Sequence, residues 1–381
     1  MKVLLVGNYE PDGQESMLRF AKTLEAGLRE AGIDVSLARP EQRFGPSTYG
    51  GREPSGAAKW LGYLDKYVVF PRRLRRLAAD ADVVHVCDHS NAMYLAHIGK
   101  RPRLITCNDM IAIRSAAGEF SHHRTRLTGR ILQGWIRSAL RLARRYACIS
   151  AATRRDLIRL TGCEPEAASV VYMGQNHGYA PVAEIAEACE ARRRGEPFDA
   201  AVFERHGLPS QPYLLHVGGP QWYKNRSGVL AIHAALERRL GDGAPRLVFI
   251  GPPLESQSAR SEARGNVSNE ALTALYSGAE LLLFPSLEEG FGWPVIEAQA
   301  CGCRVVTTGK APLTEVGGDA AIYLDDPHDA ETGATRVAEV LAQDTATRSK
   351  LIAQGITNAG RFSTADMIRQ YADLYREVLG Q

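Results

Sequence analysis

The chain has 381 residues, of which 45% are hydrophobic and 23% charged, which is enough for two domains with hydrophobic cores. Its net charge of +3 is too small to indicate a nucleic-acid-binding protein. No run of 18 apolar residues is present, so we expect no membrane-spanning helix. The seven cysteines lack the spacing of a metal site, and we expect a cytoplasmic protein without a bound metal ion.

The first 38 residues predict a strand, a helix and a second strand. Residues 3–7 are apolar, apolar residues then recur at helical spacing as far as Gly32, and residues 35–38 are again suited to a strand. This order is typical of α/β domains with a parallel sheet that binds nucleotides.

A basic and aromatic stretch runs from Trp60 to Arg76. Its aromatic side chains recur at helical spacing, and Pro71 begins a second helical piece that carries four arginines. Aromatic residues beside arginines are typical of helices that lie on anionic membranes. The alternative is a helix that packs on the sheet and exposes a solvated basic face, and the sequence leaves both interpretations open.

Two polar clusters follow predicted strands. Residues 88–91 come after the strand at 82–87, and residues 108–109 come after the strand at 104–107. Ligands of open α/β sheets bind at the carboxyl ends of strands, so both clusters are candidates for a binding site. Two further polar stretches, at 181–198 and 255–265, predict a surface linker and a loop.

The most informative stretch is 281–308, which predicts a strand, a loop, a helix and a strand. The loop contains several glycines, and Pro294 suits the first turn of the helix that follows. Such a helix start presents unpaired N–H groups and a positive dipole, which favour anions and hydroxyls. Glu289 in the loop and Glu297 in the helix can both face this place.

Residues 289–298, Glu-Gly-Phe-Gly-Trp-Pro-Val-Ile-Glu-Ala, resemble the Glu-x7-Glu signature of the retaining glycosyltransferases of family 4. The resemblance implies an α/β protein of the GT-B fold, with two Rossmann-like domains that face each other across a cleft and a C-terminal helix that crosses back to the first domain. We therefore expect an acceptor domain over 1–180, a nucleotide-sugar domain over 199–360 and a returning helix over 361–381.

The resemblance also implies the donor site. Lys224, six positions after Gly218, would be catalytic by stabilising the leaving diphosphate, and Glu289, the second expected catalytic residue, would hold hydroxyls of the donor sugar. Many members have an arginine where this chain has Gly219, and Arg226 is our candidate to replace it. For Lys224 an exposed loop lysine, and for Gly13 an ordinary turn, are the alternatives. The implied donor-binding residues are Gly13, Gly218, Asn225, Arg226, Val267, Gly290, Phe291, Gly292 and Glu297.

The expected acceptor-binding residues are Asn91, Asn108 and Asp109. The family often has His-Asp at the second of these places, whereas this chain has Asn108 followed by Asp109. Asparagine can hydrogen-bond a hydroxyl group but cannot carry a proton at neutral pH, so an acid or base role at this position is not expected.

The resemblance implies transfer of a hexose, with retention, from a GDP- or UDP-linked sugar to a sugar or lipid-linked sugar. The expected setting is bacterial polysaccharide or glycoconjugate assembly at the inner face of the membrane, without a cofactor. Two alternatives stay open. A sugar-nucleotide epimerase of the same fold would not need the paired glutamates, and a non-catalytic nucleotide-sugar-binding subunit would be consistent with Asn108 and Gly219.

Overall fold

The computed structural model describes residues 1–45, 57–253 and 258–380, and their side chains except those of 57–60. The chain divides into two compact units. Unit 1 consists of Met1–Asn176 and Ser363–Gln381, and unit 2 consists of His177–Phe362. No helix in the described part of the chain is long and apolar enough to cross a membrane.

Unit 1 contains a six-stranded parallel sheet with the strand order β2-β1-β3-β4-β5-β6. The central strands of this sheet are mostly buried, as expected for a sheet covered on both faces. The strands are β1 (Lys2–Val6), β2 (Asp34–Ala38), β3 (Val83–Val86), β4 (Arg103–Cys107), β5 (Arg145–Cys148) and β6 (Ala168–Val170). The first helices are α1 (Glu15–Glu30), α2 (Ala57–Leu64), α3 (Phe70–Ala79), α4 (Ile111–Ala116), α5 (Leu127–Leu140) and α6 (Ala151–Thr161).

Unit 2 contains a second six-stranded parallel sheet with the order β12-β11-β10-β7-β8-β9. Its strands are β7 (Tyr213–Val217), β8 (Arg246–Ile250), β9 (Ser261–Arg264), β10 (Leu281–Phe284), β11 (Val305–Thr308) and β12 (Ala321–Leu324). Its helices are α7 (Ala183–Arg194), α8 (Ala201–Arg205), α9 (Arg226–Leu240), α10 (Asn269–Gly278), α11 (Trp293–Ala300), α12 (Leu313–Gly317), α13 (Ala330–Leu341) and α14 (Thr345–Ala359). The predicted pair of Rossmann-like sheets is confirmed.

The last helix, α15 (Thr364–Leu379), belongs to unit 1, where a buried polar cluster joins it to the sheet. The Nδ1 atom of His85 in β3 lies 2.8 Å from the Tyr375 hydroxyl, and its Nε2 atom lies 2.8 Å from the Thr106 hydroxyl in β4. The Thr106 hydroxyl lies 2.9 Å from the Tyr371 hydroxyl. All four side chains are buried, so each polar group needs these partners to avoid an unsatisfied hydrogen bond.

Two stretches differ from the sequence-based prediction. The predicted linker at 181–198 contains helix α7, which buries Ile185, Ala188 and Cys189 and packs against α10 in unit 2. The predicted loop at 255–265 contains strand β9, a polar edge strand that pairs with β8; residues 255–257 lie outside the described residues. In both places the apolar residues are too few, or too widely separated by polar residues, to indicate a helix or a strand.

The buried state of His85 predicts an acid-sensitive stability. Burial lowers the pKa of His85 to about 3, whereas an unfolded histidine has a pKa near 6.5. The unfolded chain therefore binds the proton first, and stability is lost as the pH falls below about 6.5. Between pH 7 and pH 5 the free energy of unfolding should fall by about 2 kcal/mol on account of this one group.

Urea unfolding of the wild type and of His85→Gln at both pH values measures this contribution. The comparison cancels the other titrating groups, because they are common to both proteins. The wild type should lose about 2 kcal/mol more than the variant between the two pH values. Parallel losses in the two proteins would contradict the assignment.

Candidate functional site

The loop after β7 approaches the sheet closely. A Cβ atom at Gly218 would lie 2.9 Å from the Nε2 atom of His216, so a larger residue would displace the buried imidazole. A single helical turn over Trp222–Lys224 follows, and α9 begins after Asn225. The loop thereby carries Lys224 past the carboxyl end of β7.

Asn225 fixes the end of this loop. Its φ of 52° places it in the left-handed region, which asparagine tolerates better than most residues. Its Nδ2 atom donates to the carbonyl oxygens of Pro285, at 2.9 Å, and Pro327, at 3.0 Å. The predicted donor-binding residue thus joins three loops that follow β7, β10 and β12, and both of its amide hydrogens are engaged.

The loop after β10 ends at the start of α11. Gly292 has a φ of 114°, and a Cβ atom there would lie 2.9 Å from Leu313 Cδ2, so both the backbone and the space require glycine. Phe291 is buried, and its ring centroid lies 5.6 Å from that of Phe362. Pro294 occupies the first turn of α11, as predicted from the sequence.

Lys224 and Glu289, which are 65 positions apart, form an ion pair. The Lys224 Nζ atom lies 2.6 Å from Glu289 Oε1, and the two side chains are only 17% and 7% exposed. The ammonium group also lies 5.2 Å from the ring centroid of Phe284. The pair stands between β7 and β10, the point where the strand order of unit 2 reverses and where open α/β sheets bind ligands.

Glu297 has a different environment from Glu289. It is buried in the second turn of α11, where its Oε2 atom accepts a hydrogen bond of 3.0 Å from the Tyr276 hydroxyl. Burial raises the pKa of Tyr276 well above its usual value, and the charge of Glu297 adds to this. Tyr276 therefore stays protonated and donates. Sequence reasoning missed Tyr276, because a tyrosine in an amphipathic helix carries no specific signal.

Two buried polar groups near these loops were also missed. His216 Nδ1 donates to the Leu283 carbonyl at 2.9 Å, and its Nε2 atom has no hydrogen-bond partner among the described residues. Burial lowers the pKa of His216 to about 4, so the ring is neutral and Nε2 is an acceptor. The buried hydroxyl of Ser286 likewise lacks a partner within the described ranges. His216 lies inside a strand, where its sequence context indicates only a core position.

Two other predicted donor residues lie by the loops of neighbouring strands. Arg226 contacts the loop after β8, and Val267 lies in the loop after β9. The guanidinium group of Arg226 donates to the carbonyl oxygens of Pro252 and Pro253, which follow β8. Val267 lies in the loop from β9 to α10, next to Ser268, which caps α10 through a 3.2 Å bond from Ala271 N. Arg226 therefore holds the β8 loop with at least part of its donor capacity.

In unit 1 a second polar cluster surrounds Asp88, directly after β3. Asn8 Nδ2 donates to Asp88 Oδ2 at 2.7 Å, and Asn108 Nδ2 donates to Asp88 Oδ1 at 3.0 Å. The Ser90 hydroxyl also donates to Asp88. Because β1 and β3 are neighbours on opposite sides of the strand reversal, this cluster occupies the switch point of the first sheet.

His89 contacts the carboxylate at the centre of the Asp88 cluster. Its Nδ1 atom lies 3.2 Å from Asp88 Oδ1. Burial would lower the pKa of His89, but Asp88 and the charge of Asp109 raise it above its usual value. Burial would raise the pKa of Asp88, but His89, Ser90 and Asn8 bring it below its usual value. Both shifts widen the pH range over which Asp88 and His89 are ionised at the same time.

Apart from His89 Nδ1, whose contact with Asp88 is given above, three buried polar side-chain atoms in the Asp88 cluster or next to it in the chain have no hydrogen-bond partner within the described residues. They are Asn8 Oδ1, Asn91 Nδ2 and Asn108 Oδ1. Of the predicted acceptor residues, Asn108 contacts Asp88 through its side chain, and Asn91 donates its backbone N–H to the Asp88 carbonyl oxygen at 3.0 Å. Asp109 accepts a 2.9 Å bond from Ile111 N at the start of α4. The sequence indicated these positions by their place after strands, but not Asp88 as the centre.

Gly13, the other predicted donor residue, lies in unit 1 after a short helical turn over Glu10–Asp12. Its φ is 65°, and a Cβ atom there would meet nothing within 4 Å, so the turn conformation accounts for the glycine. A cavity of about 810 Å³ lies along β12, α13 and α14 in unit 2 and includes none of the predicted site residues. Within the described ranges, no three His, Cys, Asp or Glu side chains are grouped to hold a metal ion.

Two family models match the chain. "Glycosyltransferase Family 4" matches residues 17–178, and "Glycosyl transferases group 1" matches residues 211–343. The first range lies in unit 1 apart from its last two residues, and the second lies in unit 2. Together the two ranges include the Lys224–Glu289 pair and the Asp88 cluster except Asn8.

Similar proteins include an O-antigen chain mannosyltransferase B of Escherichia coli, which is 29% identical over 186 residues, covering 46% of this chain and 48% of that protein. The chain spans about half the length, or less, of the first curated relatives that it matches. Sucrose-phosphate synthase from Thermosynechococcus elongatus has the same fold, with a TM-score of 0.72 at 18% identity over 100% of this chain and 99% of that one. An Anabaena protein, HepE, solved with UDP and glucose, has a TM-score of 0.66 at 16% identity and covers 98% and 99%.

Proposed function

We propose that this chain, which belongs to the glycosyltransferases of the GT-B fold, transfers a hexose with retention from a nucleoside-diphosphate sugar to a sugar or lipid-linked sugar acceptor. The observation that carries the proposal is the Lys224–Glu289 ion pair at the switch point of unit 2. A reaction between two substrates needs a site for each, and the Asp88 cluster of unit 1 is our candidate for the second.

The ion pair suits a ligand that carries both negative charge and hydroxyl groups. Lys224 would meet the diphosphate, whose charge grows as the sugar leaves, and Glu289 would accept hydrogen bonds from the hydroxyls of the sugar. The two groups lie 2.6 Å apart, so they would contact neighbouring parts of one donor molecule. The start of α11 after Gly292 adds backbone N–H groups on the same side of the sheet.

Glu297 would bind the nucleotide part of the donor. Its carboxylate is buried and accepts a hydrogen bond from the Tyr276 hydroxyl, and we place the ribose hydroxyls of the nucleotide against this carboxylate. A glutamate fixed in a helix is suited to a part of the ligand that does not change during the reaction. Glu289 lies in a loop and is paired with Lys224, and it is suited to the part of the ligand that changes during the reaction, which is the sugar.

In the reaction we propose, the bond between the anomeric carbon and the diphosphate oxygen breaks while the acceptor oxygen bonds to that carbon on the same face. The acceptor proton passes to the leaving diphosphate oxygen, so no protein base is required. Positioning and electrostatic stabilisation by Lys224 then supply most of the rate. No metal ion takes part in this scheme.

The relatives' names support mannose as the transferred hexose and a polysaccharide as the setting. A UDP-linked glucose is the other donor that we would test, since the Anabaena structure of the same fold contains UDP and glucose. Incubation of the protein with GDP- and UDP-linked sugars, followed by detection of the released diphosphate, identifies the donor. Donor binding without turnover would instead indicate a non-catalytic nucleotide-sugar-binding subunit.

The acceptor would bind at the Asp88 cluster. Sugar hydroxyls both donate and accept, and the cluster offers unpartnered atoms of both kinds, in Asn8, Asn91 and Asn108. Asp109, which accepts a hydrogen bond from Ile111 N at the start of α4, follows Asn108 directly. We place the acceptor hydroxyls against these amides, with Asp88 holding their orientation.

Lys224→Ala should reduce turnover about a hundredfold, which corresponds to about 3 kcal/mol of transition-state stabilisation. Lys310→Ala is the matched control, because Lys310, in the loop after β11, pairs with Glu288, the residue that precedes Glu289. Turnover by both variants is measured with saturating donor. Unchanged turnover in folded Lys224→Ala would show that Lys224 does not stabilise the leaving group.

Glu289→Gln and Glu297→Gln should have separable effects. A hydrogen bond to a charged acceptor is worth about 1.5–3 kcal/mol, so Glu297→Gln should weaken the free nucleoside diphosphate roughly tenfold or more. Glu289→Gln should bind the free nucleotide normally and lose turnover. Calorimetry with the nucleoside diphosphate decides; the reverse pattern would exchange the two roles, and no effect of either variant would make the pair structural.

Asn91→Ala should raise the acceptor KM about fivefold or more, because a hydrogen bond worth about 1 kcal/mol is lost. The slow hydrolysis of the donor in the absence of acceptor should stay unchanged. This second measurement separates acceptor binding from a general loss of activity. A variant with a normal acceptor KM would exclude Asn91 from the acceptor site.

A further inference from the structure

Helix α5 in unit 1 exposes a row of large apolar side chains. Leu127, Ile131 and Trp135 are 70%, 66% and 47% exposed, and their spacing of four residues places them on one face of the helix. The opposite face, which includes Ile136, Ala139 and Leu140, is buried against the unit. The exposed row is therefore separate from the core, and it is longer than the single exposed leucines usual on protein surfaces.

The same part of the chain is unusually basic. Between Glu119 and Asp156 the sequence contains no aspartate or glutamate, and it contains nine arginines. Arg126, Arg130 and Arg137 are exposed beside the apolar row, and Arg130 and Arg137 follow Leu127 by three and ten positions, along the edge of the same face. The arginines are Arg124, Arg126, Arg130, Arg137, Arg141, Arg144, Arg145, Arg154 and Arg155.

A second element extends the apolar row. The ring centroid of Tyr67 lies 5.4 Å from that of Trp135, which places the turn over Asp65–Val69 beside α5. Leu61 and Leu64 in the preceding helix α2 and Val68 in this turn are each 41–44% exposed. Arg72 and Arg75 in α3 continue this face and are also exposed. We call the six exposed apolar residues and Arg126, Arg130 and Arg137 the apolar–arginine surface.

We propose that the apolar–arginine surface docks on an anionic lipid bilayer. The apolar side chains would enter the boundary between headgroups and acyl chains, and the arginines would bind lipid phosphates. Arginine combines a permanent charge with paired donors that match a phosphate group. A basic helix with apolar and aromatic residues on one face is the pattern expected of a protein that lies on a membrane without crossing it.

The charges favour a bilayer over a second copy of the chain. Two copies that met through this surface would bring arginines against arginines, without any acidic residue in the stretch to compensate. The proposal does not depend on the transfer reaction, and failure of one leaves the other intact. If both hold, a lipid-linked acceptor would be recognised by the same unit that touches the membrane.

Co-sedimentation with vesicles tests the proposal. The full chain should pellet with vesicles of phosphatidylcholine mixed with phosphatidylglycerol and remain in solution with phosphatidylcholine alone. Added salt should release it, because salt screens the attraction between exposed charges. Arg130→Gln combined with Arg137→Gln should weaken binding to the anionic vesicles about thirtyfold, and Ile131→Asp should abolish it.

A matched control comes from unit 2, where Leu240 and Arg239 are exposed at the end of α9. Leu240→Asp combined with Arg239→Gln should bind anionic vesicles like the wild type. Failure of the wild type to bind these vesicles, or unchanged binding by Ile131→Asp, would overturn the proposal. Self-association of the wild type that Ile131→Asp removes, measured by analytical ultracentrifugation, would show instead that this surface joins two copies.

Discussion

The parallel arrangement of every strand pair is the constraint on which both candidate sites depend. Because each strand runs in the same direction as its neighbours, the loop after each strand emerges at the same edge of its sheet. In each sheet the chain adds strands on one side of the first strand and then on the other. The two loops at this reversal diverge and leave a crevice. Asp88 in unit 1 and the Lys224–Glu289 pair in unit 2 occupy equivalent crevices.

A charge that water solvates poorly costs free energy, and the two crevices offset this cost in different ways. In unit 2 a lysine and a glutamate neutralise each other, and a ligand with a negative and a hydroxyl-bearing part can replace both contacts at once. In unit 1 Asp88 is stabilised by amide and hydroxyl donors and by His89. Because Asn8 and Asn108 direct Nδ2 toward Asp88, their Oδ1 atoms point away from it and remain acceptors. The crevice of unit 2 is therefore suited to a charged ligand, and the crevice of unit 1 is suited to neutral hydroxyl groups.

The sequence predicted best the elements that local patterns determine. Continuous apolar runs indicated the central strands, and the proline and glycines around 285–294 indicated the loop and the start of α11. The partners of the site residues could not be predicted, because they lie far apart in sequence. Nothing near Lys224 indicates Glu289, and nothing near Glu297 indicates Tyr276. The exposed row on α5 was also missed, because Leu127, Ile131 and Trp135 have the pattern of a core face and only their exposure distinguishes them.

The position of α15 affects how the protein folds while the ribosome synthesises it. Unit 2 is one continuous segment, so its whole fold is available once residue 362 has emerged. The sheet of unit 1 is made much earlier, but His85 and Thr106 obtain their tyrosine partners only when residues 371 and 375 follow. Until then the face of the first sheet that α15 covers stays open to solvent or to chaperones. The part of the chain that is synthesised first is therefore the part that is completed last.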